Sequence, residues 1–128
     1  MKHASNIAGG LLGLLFLVFG LNFFLKFIPM PPGPPEGSPP ALFMAALYPT
    51  GYLAFVKVFE ILGGVLVAIP KTRNFGLLVL GPVIVNILAF HVFLTKGAGL
   101  ADPIVILICA LTAFLLWFAR RSFAALLN

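Results

Sequence analysis

The stretch IAGGLLGLLFLVFGLNFFLKFI, from Ile7 to Ile28, decides how the chain is read. Its only formal charge is Lys26. Coiled as an α-helix it is roughly 33 Å long, enough to cross a hydrocarbon core of ~30 Å. Ser5-Asn6 ahead of it fits a helix cap, and Pro29 stops it. A cleavable signal peptide fits poorly. The only basic residue that precedes the run is Lys2, the run is too long for an h-region, and no small-x-small site follows.

Three further stretches have the same character. One runs from about Tyr52 to Ile69 and is closed by Pro70. Another starts after Asn74 and runs to about Thr95, with Gly97 beyond it as a C-terminal breaker. The last opens with Asp102-Pro103, a capping residue followed by proline at the first helical position, and runs to about Ala119. The sequence therefore predicts an all-α integral membrane four-helix bundle, a single transmembrane domain over residues 1–128 with helices at about 7–28, 52–69, 75–95 and 103–119. No internal repeat is evident.

Composition agrees. The 128 residues are 62% hydrophobic and 9% charged, where a soluble domain has about 25% charged residues. With a mean hydropathy of +1.17, a water-soluble domain lacks the polar surface it would need, and disorder and a cytosolic enzyme are excluded with it. Eight basic residues against three acidic ones form no run with interleaved aromatics, so nucleic acid is not the expected partner. The expected partner is the lipid bilayer. A lone cysteine, Cys109, rules out an internal disulfide, a CxxC redox pair and a thiolate cage. No metal site is expected.

Between the first two spans lies a connection rich in proline: Pro29, Pro31, Pro32, Pro34, Pro35, Pro39 and Pro40. Pro40 to Tyr48 is then apolar and fits a short interfacial helix, with Tyr48 and Tyr52 at headgroup depth. It reads either as a covering loop or as a lid over a site on that face. Four spans put both termini on one side together with Lys2, Lys71, Arg73, Arg120 and Arg121, against Lys26 and Lys96 opposite. The positive-inside tendency places that side, and both termini, in the cytoplasm of a bacterial inner membrane, with Trp117 at the inner interface.

Charged and strongly polar groups inside a span cost from ~2.5 kcal/mol upward at mid-helix and call for a reason. Counting ~1.5 Å per residue from the outer helix ends, Lys26 lies about 3 Å deep, His91 about 6 Å, Lys57 about 8 Å and Asn22 about 9 Å, with Glu60 and Asn86 at about 13 Å. All six fall in the outer half. Asn22 and Lys26 share a face at i,i+4, as Lys57 and Glu60 do at i,i+3, and Gly64 widens the Glu60 face. Asn86 and His91 are five apart, about 140° around a straight helix. They converge only if Pro82 bends the helix or the interior arc is wide. Glu60, Lys57, Asn86, His91, Asn22 and Lys26 are the candidate binding residues, in a pocket between the first three spans. The competing reading has Lys57 and Glu60 neutralising each other, Lys26 snorkelling and Asn86 joining helices. No catalytic residue is assigned: triads, phosphate loops and paired acids are absent, and haem ligation is not supported because His3 is at the other end. Gly9, Gly13 and Gly20 form a stripe for close packing, within the bundle or between protomers.

The segments Asn22-Phe-Phe-Leu-Lys26-Phe-Ile-Pro29-Met-Pro-Pro, Thr50-Gly-Tyr52, Lys57-Val-Phe-Glu60-Ile-Leu-Gly-Gly64 and Pro82-Val-Ile-Val-Asn86-Ile-Leu-Ala-Phe-His91 resemble the DoxX family of small bacterial membrane proteins. The resemblance covers nearly the whole chain and rests most on Lys-x-x-Glu-x-x-Gly-Gly and Pro-x-x-x-Asn-x-x-x-x-His. It implies a four-helix inner-membrane protein, with relatives associated with a quinol oxidase, thiosulfate:quinone oxidoreductase and other membrane oxidoreductase systems. The expected function is a binding or accessory subunit of a membrane redox system. It would hold a small lipophilic or quinone-like molecule, with a redox partner protein or a second copy as its protein partner. The alternatives are a proton-coupled transporter or exporter acting as a homo-oligomer, and an assembly factor for membrane proteins. A stand-alone enzyme is not expected.

Overall fold

A computed structural model describes residues 2–29 and 32–127; Met30 and Pro31 of the proline-rich connection lie outside them, as do both terminal residues. The chain is all-helical, 83% helix, with no strand among the described residues. Six α-helices follow in order: α1 (Lys2–Leu25), α2 (Pro39–Leu47), α3 (Tyr52–Ala68), α4 (Arg73–Ala89), α5 (Pro103–Phe118) and α6 (Arg120–Ala124). A 3-10 turn, Pro70–Thr72, leads into α4, and a π turn, Phe90–Leu94, continues it. Lys2–Leu25 and Pro70–Leu94 are each long and apolar enough to cross a membrane. The count rises to four if each bent pair, α2 with α3 at 85° and α5 with the segment Arg120–Leu127 at 73°, forms one span.

Helix ends follow the local chemistry, with two corrections at α1. The helix begins at Lys2 rather than Ile7, because Ser5 does not cap it. Ser5 is buried, and its Oγ donates to the Lys2 carbonyl at 2.9 Å. The helix ends at Leu25 rather than at Pro29. Lys26 takes a left-handed conformation (φ 54°), and the side chain of Asn22 accepts from Ile28 N–H at 2.7 Å. Ile28 precedes proline and is sterically kept from helical backbone angles, so the chain must leave the helix before it. Elsewhere the expected signals operate. Ile69, ahead of Pro70, is extended and ends α3. Gly97 is left-handed at φ 88° after the π turn. Asp102 caps α5 by accepting from Ile104 N–H at 2.8 Å, with Pro103 at the first turn.

α3 is the central element, with α1 on one side and α4 on the other, and α5 packs mainly on α1. Leu12, Phe16, Val67, Leu80 and Leu115 form the innermost layer. The α1–α3 crossing depends on missing side chains: a Cβ on Gly13 would collide with the Gly64 carbonyl and the Ala68 side chain. At the α3–α4 crossing a Cβ on Gly76 would sit 2.5 Å from Val67 N. Small residues thus bring the helix backbones into direct contact at both crossings. The glycine stripe of α1 is therefore filled from within the chain. The outer surfaces stay apolar, with Phe55 at 59%, Val85 at 64% and Phe93 at 76% exposure.

Arg73, read from the sequence only as a cytoplasmic-side charge, is 8% exposed. Its Nε donates to Val67 O at 2.9 Å, Nη2 to Ala68 O at 3.3 Å and Nη1 to Asn6 Oδ1 at 3.0 Å. One guanidinium thus satisfies the last carbonyls of α3, where helix dipoles favour a cation, and ties them to α1. It lies against Gly9, where any side chain would collide with it.

Candidate functional site

A cavity of about 690 Å³ lies between α2, α3, α4 and the π turn. That volume falls within the range usual for small-molecule sites. Its walls are mostly apolar. Phe43, Met44 and Leu47 come from α2, Phe55, Val56 and Phe59 from α3, and Val79, Val83 and Ile87 from α4. Lys57, Glu60, Asn86 and His91 line the same space. Four of the six residues singled out from the sequence therefore meet in one cavity, contributed by two helices.

The polar groups are only partly satisfied by the protein. Lys57 Nζ and Glu60 Oε1 form an ion pair at 3.3 Å, with Glu60 6% exposed. The second oxygen of Glu60 and the remaining N–H groups of Lys57 have no partner among the described residues. A buried ion pair recovers its desolvation cost only when its remaining donors and acceptors are also hydrogen-bonded. Asn86 Nδ2 donates to Pro82 O at 2.8 Å, which pins the carboxamide over the helix and leaves its Oδ1 unpaired among the described residues. His91 Nδ1 is buried against Gly99 with no partner among the described residues, and an added Cβ on Gly99 would strike the ring.

Asn86 and His91 both reach the cavity because α4 and the start of the π turn face it along a wide arc that also includes Pro82, Val83, Ile87 and Phe90, one of the two routes the sequence allowed. The helix widens at Phe90–Leu94, where Thr95 N–H bonds back five residues to Phe90 O at 3.2 Å. Between Asn86 and Phe90 the backbone keeps α-helical bonding, with Phe90 N–H donating to Asn86 O, so the widening begins only beyond that stretch. Gly97 N–H and Thr95 Oγ1 both donate to the His91 carbonyl, at 2.6 and 2.7 Å, which fixes this turn.

Asn22 and Lys26 do not line the cavity, and the expected pocket between the first three spans is corrected accordingly. α1 packs on the Gly64–Ala68 side of α3, and the wall expected from it is supplied by α2. Asn22 is buried and closes the end of its own helix, while Lys26 is exposed in the turn beyond it. Gly64 receives the backbone of α1, so it is not open to a ligand. Of the wall residues, Tyr52, Phe55, Val56 and Phe59 were legible in principle, since their three- and four-residue spacing continues the Lys57–Glu60 face. Among the described residues no group of three His, Cys, Asp or Glu side chains is placed to hold a metal.

Over 72 residues the chain is 35% identical to the uncharacterized protein YwoB of Bacillus subtilis (strain 168). The match takes in 56% of this chain and 45% of that protein, so the chain spans less than half of the curated relative it matches. No protein-family model and no solved structure matches the chain.

Proposed function

We propose that the chain is a multi-pass protein of a bacterial inner membrane, with α1, α3, α4 and α5 crossing the bilayer and both termini cytoplasmic. In this reading it is a DoxX-like binding or accessory subunit of a membrane redox system. Its cavity takes a small lipophilic molecule with a hydrogen-bonding head, a quinone-like compound being the class that fits best. The observation that carries the reading is the pairing of unsatisfied polar groups with an aromatic and aliphatic wall in one cavity. A ligand with carbonyl or hydroxyl groups would meet Lys57 as donor, Glu60 and Asn86 Oδ1 as acceptors, and His91 at the end nearest the π turn. Its apolar body would lie against Phe55, Phe59, Val83 and Leu47. Its lining includes the exposed rings of Phe43, Phe55 and Phe59, which suits entry from the bilayer. α2 lies over the cavity through Phe43, whose ring meets Phe90 at 5.5 Å between centroids, so the interfacial helix acts as its cover.

The oligomeric transporter reading draws less support, since the glycine stripe that offered a surface for a second copy is occupied by α3 and by Arg73 of α4. The test is mass spectrometry of small molecules retained by the full chain through gentle detergent purification, alongside the Glu60→Gln variant. Retention of a lipophilic, oxygen-bearing compound that falls about tenfold or more in the variant is expected, the equivalent of ~1.4 kcal/mol. Equal retention in a properly inserted Glu60→Gln protein removes Glu60 from the site.

A further inference from the structure

The opposite end of the bundle carries a second cavity, of about 230 Å³, between the start of α4 and the corner where α5 meets α6. Arg73 and Asn74 line one side; Ala119 and Ser122 line the other. Three donors of Arg73 are used within the fold, and a guanidinium has five N–H groups, so two remain without a partner among the described residues. Asn74 and Ser122 make no side-chain hydrogen bond among the described residues.

Charge at this end is of one sign. Lys71 stands between the lining residues Pro70 and Arg73, and Arg120 and Arg121 stand between Ala119 and Ser122. All three carboxylate side chains of the protein are elsewhere. Glu36 is in the proline-rich connection, Glu60 is midway along α3, and Asp102 is at the far end of α5. Arg120 is fixed at the corner: its guanidinium lies 4.3 Å from the Trp117 ring centroid, and Nη1 donates to Trp117 O at 2.9 Å. The chain turns through 73° there, which sets Ser122, next to Arg121 in the chain, beside the start of α4.

We propose that this corner binds the phosphate of an anionic phospholipid headgroup, with Arg73, Asn74 and Ser122 donating hydrogen bonds and Lys71 and Arg121 flanking it. Basic pockets between helices on the cytoplasmic side are suited to anionic headgroups. Charge-assisted bonds from guanidinium to phosphate are among the strongest available to such a site. The cavity admits a headgroup and no acyl chain; the chains would run down the apolar exterior past Phe118, which is 43% exposed. The site rests on the membrane reading above.

The test uses the full chain in detergent micelles supplied with phosphatidylglycerol or phosphatidylcholine, with retained lipid counted by native mass spectrometry. Preferential retention of phosphatidylglycerol is expected. It should fall about fivefold for each charge removed in Lys71→Gln and Arg121→Gln. Asn74→Leu with Ser122→Val, which leaves every charge in place, should also lower it. Equal retention of the two lipids overturns the proposal. So does loss in the charge variants without loss in the neutral pair, which marks diffuse attraction in place of a site. Inorganic phosphate that binds alone and displaces the lipid at millimolar concentration makes free phosphate the ligand and refutes the lipid assignment. Resistance of the protein to alkaline carbonate extraction from membranes is scored separately, so failure of the membrane reading is distinguishable from failure of the headgroup site.

Discussion

Arg73→Lys separates two roles that one residue has been given. If Arg73 serves only as a positive charge that fixes orientation, lysine replaces it without loss. The structure predicts otherwise. The guanidinium donates to Val67 O, Ala68 O and Asn6 Oδ1 from three different nitrogens. A lysine ammonium at the end of a flexible stem reproduces the charge but not the planar fork. It can keep one of the three contacts, so two are lost. Hydrogen bonds to charged groups contribute ~1.5–3 kcal/mol each. Water at the bundle end replaces part of that, leaving an expected destabilisation of about 2–3 kcal/mol. The assay is reversible unfolding in mixed micelles followed by circular dichroism, with Lys71→Gln as the control. Lys71 is exposed and makes no side-chain hydrogen bond or ion pair among the described residues, so its removal should change stability by less than about 0.5 kcal/mol. Asn6→Ala should be destabilising alone but add little once Arg73→Lys has broken the shared bond, with a coupling of about 1 kcal/mol. Arg73→Lys within error of wild type, or no coupling to Asn6, refutes the account of this latch.

Substitutions at three further positions test the packing and the cap of α5. Gly13→Leu should destabilise by about 2–3 kcal/mol or prevent folding, since its Cβ would run into the Gly64 carbonyl; Gly10→Ala, which meets open space, should stabilise by up to about 1 kcal/mol, and the same micelle unfolding assay checks both. Asp102→Ala should cost about 1 kcal/mol through loss of the bond to Ile104 N–H, while Asp102→Asn keeps most of it, measured as the difference between the two variants.

Hydropathy and the breakers Pro70, Gly97 and Asp102-Pro103 placed the helices closely, because these signals act within one turn of the chain. Polar residues near helix ends were harder to read. Ser5 and Asn6 look like a cap in sequence, and only the arrival of Arg73 from 67 residues away shows that Asn6 is a partner inside the bundle. The candidate site was legible in depth but not in azimuth. Counting residues from the helix ends brought Glu60, Lys57, Asn86 and His91 to one layer, and the same count also admitted Asn22 and Lys26. Which side of α3 receives α1 depends on the Gly13–Gly64 contact, a pairing between distant segments that no local pattern reveals. The apolar wall from α2 was hidden for the same reason: the 85° turn between α2 and α3 is set by Pro49, Thr50 and the left-handed Gly51, and its direction is tertiary information.

The spacing of Asn86 and His91 gives the cavity beneath α2 an unusual kind of vulnerability. Its polar lining depends on the number of residues between Asn86 and His91 as much as on what they are. Loss of Leu88 or Ala89, neither of which lines the cavity, would leave every lining side chain present. Either deletion would set His91 four residues from Asn86 and turn everything from His91 to the cap at Asp102 by about 100° around the helix. In a chain with so few polar groups, a change of length can remove a site as surely as a change of side chain.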